Sequence, residues 1–125
     1  MDLDNYSEHD LIVLSLVEVL KKDKFTNIKA DLPNHERPKE IFLNDYLPNY
    51  IPDVTADEDD SSYIFKVETA NSLSEEHSHK QWITFYTFAE LTKSTFVLVI
   101  PIGKEDEARD LLSKKNILAE IWTAE

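Results

Sequence analysis

Cysteine is absent from this 125-residue chain, which excludes disulfides and thiolate metal sites and leaves the redox compartment open. Glycine occurs once, at Gly103. Phosphate-cradling loops and dinucleotide fingerprints need several glycines at fixed spacing, so P-loop and Rossmann readings are excluded. No apolar run reaches the roughly eighteen residues of a membrane span, and the best candidate, Leu11 to Leu20, is broken by Ser15 and Glu18. Positive charge is scarce: 13 bases face 25 acids for a net charge of −12. That balance weighs against non-specific binding to a phosphate backbone, although it leaves a locally basic groove open. The first residues, Met1-Asp2-Leu3-Asp4, are acidic where a secretory signal would be basic. Together these absences lead to the expectation of a cytoplasmic protein without a membrane partner.

With 42% hydrophobic residues, the chain has enough apolar content for one domain spanning residues 1–125 with its own core. Ser7 followed by Asp10 marks a helix start, and the helix is expected to run to about Asp23. Its apolar residues, from Leu11 to Leu20, cover most of the circumference, and Glu18 is the odd residue among them. Lys21, Lys22 and Lys24 follow at the C-terminal end, where cations suit the helix dipole. Phe25 to Leu32 alternates weakly as a strand, and Pro33 to Pro38 is a loop. Lys39 to Tyr46 reads as a short strand or a turn of helix. Ser72 or Ser74 is the expected cap of a second helix reaching about Thr92, with Trp82, Phe85, Tyr86 and Ala89 at the spacing that covers a sheet. His77 and His79 are two apart, unlike the four-residue spacing with which a helix presents two ligands to one metal.

Thr95 to Pro101 is continuously apolar, as a central strand covered on both faces should be. A helix from about Lys104 to Asn116 and a last strand from Ile117 to Thr123 complete a βαβ unit. The implied fold class is α/β, with a mixed central sheet flanked by helices.

The functional signal lies between Tyr50 and Thr69. Tyr50-Ile51-Pro52-Asp53-Val54-Thr55 and Tyr63-Ile64-Phe65-Lys66-Val67-Glu68-Thr69 read as adjacent strands, joined through the acidic block Asp57 to Asp60 as a solvated hairpin turn. Side chains alternate along a strand, so Lys66 and Glu68 share a face with Ile64. Charges among core residues are expected either to pair or to bind something.

This arrangement resembles the PD-(D/E)xK, or restriction-endonuclease-like, nuclease superfamily: Pro52-Asp53, a gap, then two charged residues two apart on the next strand. The resemblance spans about residues 7 to 123 and implies a restriction-endonuclease-like core. It also implies a Mg2+-dependent phosphodiester hydrolase acting on DNA or RNA. Asp53, Glu68 and Glu18 would then be the metal ligands, and Asp53, Lys66, Glu68, Lys80 and Gln81 the catalytic set. Tyr86 loosely resembles the aromatic residue that accompanies such a site. One feature departs from the family, because Lys66-Val67-Glu68 puts base and acid in exchanged order. The exchange moves the carboxylate by about 6 to 7 Å along the strand, whereas Mg2+ holds its ligands near 2.1 Å. The alternative is a non-catalytic member of the fold, a protein-binding or assembly module in which Lys66 closes the site, and a homodimer is compatible with both. A third expectation is an unrelated α/β domain with an internal ion pair.

Overall fold

A computed structural model describes residues 6–124. The chain opens with helix α1 (Glu8–Lys22), capped by Ser7, whose Oγ accepts the Asp10 N–H at 3.1 Å. Val13, Leu16, Val17 and Leu20 recur at helical spacing and are buried as one stripe. Each of these side chains contributes about 1.5–3 kcal/mol by leaving water. Lys24, with φ of 66°, turns the chain out of the helix into β1 (Thr26–Ala30).

β2 (Val54–Glu58) and β3 (Ser61–Val67) form an antiparallel hairpin around Asp59-Asp60, with Asp59 in the left-handed region. Asp57 and Glu58 therefore belong to the strand, and only the last two acids of the block form the turn. Helix α2 (Glu76–Thr92) crosses to β4 (Thr95–Pro101), and α3 (Glu105–Lys114) crosses to β5 (Glu120–Ala124). Gly103, at φ of 94°, makes the turn between β4 and α3. The sheet runs β1-β2-β3-β4-β5, antiparallel through β3 and parallel from β3 to β5. It is a mixed α/β sheet flanked by helices, the class that the strand and helix periodicities imply.

β4 shows why both layers are needed. Val97 and Val99 face α1 with Phe65 and Val67, while Phe96, Leu98 and Ile100 face α2 and α3 with Trp82, Phe85 and Ala108. Among the described residues, no helix is long and apolar enough to cross a membrane.

Four boundaries differ from the sequence expectations. The strand expected from Tyr50 begins only at Val54; Tyr50 instead forms a lone bridge with Ile41, and Lys39 to Tyr46 is neither strand nor helix. Pro48 and Pro52 lack the N–H that a ladder requires, which accounts for the missing strand. α2 is preceded by Glu75, with no side-chain cap, rather than by Ser72 or Ser74. Ser72 is folded into a turn with Thr69 and spends its hydroxyl elsewhere. β5 begins at Glu120, three residues later than Ile117, which is buried against α2 and α3.

Candidate functional site

The charged residues of the hairpin meet at the end of the sheet where β3 stops, between the first turn of α1 and the first turns of α2. Asp53 precedes β2, Lys66 lies near the end of β3, and Glu68 just follows it. All three are buried, Glu68 completely. The Lys66 ammonium lies 3.4 Å from Asp53 Oδ2 and 3.5 Å from Glu68 Oε2, and it donates to the Val67 carbonyl at 3.0 Å. Its three N–H donors thus face three oxygens.

Each carboxylate has further partners. Glu68 Oε1 accepts from Ser72 Oγ at 2.6 Å and Ser78 Oγ at 3.0 Å, while Oε2 accepts from Trp82 Nε1 at 2.8 Å. Three of the roughly four acceptor positions that a carboxylate offers are thus hydrogen-bonded, and the Lys66 ammonium lies beside Oε2 as an ion pair. Asp53 Oδ2 accepts the Val67 N–H at 2.7 Å, and Oδ1 lies 3.1 Å from His9 Nε2. The other His9 nitrogen, Nδ1, lies 3.2 Å from Asp10 Oδ1. Two carboxylates facing one imidazole favour its charged form, in which both nitrogens donate.

Titration follows from these contacts. The hydrogen bond to Asp53 holds the His9 pKa above its ordinary 6.5, against the opposing effects of burial and Lys66. Burial pushes the Asp53 carboxyl up, but the His9 hydrogen bond, Lys66 and the Val67 N–H together hold it below its ordinary 3.8. The raised His9 pKa gives stability that is present below about pH 6.5 and lost as pH rises through the folded-state value. The lowered Asp53 pKa gives stability that is present above about pH 3.8 and lost as pH falls through the folded-state value. The contact therefore stabilises most in the window between those ordinary values. Urea unfolding of wild type and His9→Gln, followed from within that window up through the raised His9 value, should show the variant losing the decline on the alkaline side, and an identical slope in both proteins would refute the contact.

The other proposed site residues are placed elsewhere. Glu18 is exposed and pairs with Lys21 at 3.6 Å, because its face of α1, shared with Leu11, points to solvent. Lys80 is exposed on α2. Gln81 Nε2 lies 3.0 Å from His77 Nε2 on the surface, so neither joins the cluster. Tyr86 is half-buried against the apolar layer under α2 and α3. His77 sits beside Tyr50, away from Glu68, and His79 is buried with Nε2 donating to the Leu73 carbonyl at 2.8 Å.

Sequence reasoning missed His9, Ser72, Ser78 and Trp82 as members of the cluster. Trp82 was legible only as core, and nothing in the local pattern ties residue 9 to residue 53. The donor set is also a poor fit for Mg2+: an ammonium stands between the two carboxylates, and Glu68 already accepts three hydrogen bonds. Among the described residues, no group of three His, Cys, Asp or Glu side chains is placed to hold a metal ion.

The chain is similar to the RNA polymerase sigma factor SigI of Bacillus anthracis, at 27% identity over 124 residues, covering 86% of this chain and 52% of that protein. It thus spans about half the length of the curated relative it matches. No family model matches the chain, and no solved structure does.

Proposed function

We propose that this chain is a non-catalytic member of the nuclease-like fold, serving as a protein-binding or assembly module. One observation carries the reading: Lys66 occupies the space between Asp53 and Glu68, and Glu68 already accepts three hydrogen bonds besides facing that ammonium. The element order and the Pro52-Asp53 placement support the fold relationship. The net charge of −12 suits a basic protein surface better than a nucleic-acid backbone. The relative's name associates that protein with RNA polymerase, and for this chain the corresponding proposal is a partner within a transcription complex.

The second reading is a Mg2+-dependent nuclease acting on DNA or RNA. It is favoured by the convergence of Asp53, Lys66 and Glu68 at one end of the sheet.

Cleavage and metal binding separate the two. The purified chain should leave single- and double-stranded DNA and RNA intact with either Mg2+ or Mn2+. Millimolar metal should shift its melting temperature by less than about 1 °C, since a ligand stabilises only as far as it binds the folded state. Robust cleavage abolished by Asp53→Asn would overturn the non-catalytic reading.

A further inference from the structure

The two edges of the sheet are treated differently. At β1, Asn27 adopts a φ of 52°, the register breaks between Thr26 and Lys29, and the Ala30 N–H is taken by the Glu36 carbonyl. Bulges, lysines and covering loops are the devices by which proteins blunt an edge against further pairing. Among the described residues, β5 has none of these three. It pairs in unbroken register with β4 from Glu120 to Ala124 and contains no proline, lysine or arginine. Among the described residues, no backbone hydrogen bond reaches its outer side.

An apolar groove lies beside this open edge. α1 packs mainly over β1, β2 and β3; Val97 and Val99 of β4 are still buried beneath it, but at the β5 end of the same face Trp122 and Ala124 are only partly buried. A cavity of about 290 Å³ remains there, lined by Ile12, Leu16 and Val19 of α1 and by Val99, Trp122 and Ala124 of the sheet. Val19 is 46% exposed, although it belongs to a largely apolar helix. An edge strand supplies the backbone hydrogen bonds for another strand, and alternate side chains of that strand would fold back over Trp122 into the groove.

We infer that β5 and this groove form a docking site for an extended segment of a protein partner, one with apolar residues at alternate positions and flanking Lys or Arg. The charge of the chain selects the partner's chemistry: a second copy would bring another −12 to an edge that already carries Glu120, whereas a basic segment is attracted. The inference rests on the reading of the chain as a binding module, but it uses none of the residues of the charged cluster.

The test is an amide NMR titration of the full chain with an acetylated peptide, Lys-Val-Thr-Val-Thr-Val-Lys, and with its counterpart carrying Glu at both ends. The lysine-flanked peptide should give saturable shifts confined to residues 120–124 and to the Ile12, Ser15 and Val19 face of α1. Val19→Glu places a charge in the groove and should weaken binding about tenfold or more without changing the fold. Thr123→Lys, at an exposed position on the edge, should do the same. Silence at millimolar peptide, equal binding of the glutamate-flanked peptide, or indifference to both variants would each overturn the inference. So would sedimentation showing a wild-type dimer that Thr123→Lys dissociates, because a second copy would then hold the edge. Adding Mg2+ to the same sample separates the two proposals: shifts at Val67 and Glu68 would count against the non-catalytic reading while leaving the β5 result standing.

Discussion

Glu68→Gln should cost the fold about 3–5 kcal/mol, the range found when one partner of a buried ion pair is removed. The reason lies in the donors around that carboxylate. Ser72, Ser78, Trp82 and Lys66 all point at it, and it is completely buried. A glutamine amide offers one oxygen and turns an NH2 toward groups that are themselves donors. It also leaves the Lys66 ammonium, among the described residues, with Asp53 as its remaining anionic partner. Urea denaturation of wild type, Glu68→Gln, Lys66→Met and the double variant would form a cycle. The double variant should recover part of the loss, since removing both charges avoids an uncompensated ion. A single-variant cost below about 1 kcal/mol would show that the cluster is not a buried ionic unit.

Replacing Lys66 with Glu should have the largest effect on metal response. The substitution removes the cation between Asp53 and Glu68 and adds a third carboxylate to a site from which water is largely excluded. Mutual repulsion should lower stability without metal by about 3–5 kcal/mol. The same three carboxylates then offer oxygen ligands to a hard divalent cation. Mn2+ or Mg2+ at about a hundred times its dissociation constant would return about 2.7 kcal/mol. At roughly 4 °C per kcal/mol for a chain of this size, the melting temperature should rise by about 10 °C on adding metal. Wild type should show no comparable rise. A variant as stable as wild type without metal, or one unresponsive to metal, would remove the ammonium from its assigned place as substitute cation. Lys66→Glu combined with Glu68→Lys restores the family's order and asks whether cleavage returns with it.

Much of the architecture was legible because it depends on local chemistry. Ser7 caps α1 through the Asp10 N–H, as their spacing requires. The apolar run from Thr95 to Pro101 became the strand buried on both faces, since only a central position hides two successive sides. The segment from Lys39 to Tyr50 was not legible. Its one backbone pairing, between Ile41 and Tyr50, spans nine positions and leaves no periodic trace. Ile117 was equally ambiguous, because an apolar residue after a helix can begin a strand or plug the core, and here it plugs the core.

The sequence by itself determined that Lys66 and Glu68 lie on one side of β3 and that charges at such positions need partners, because strand alternation and the cost of burying charge are local rules. Only the tertiary structure decided who those partners are. Ser72 looked like a cap and Trp82 like plain core, yet the meeting of α2 with the end of β3 turns both toward one carboxylate. His9 reaches Asp53 because α1 packs across the sheet and brings its first turn to the start of β2. Contacts between residues so far apart in the chain are set by how the layers stack, and stacking depends on the shape of the whole core rather than on any stretch of sequence.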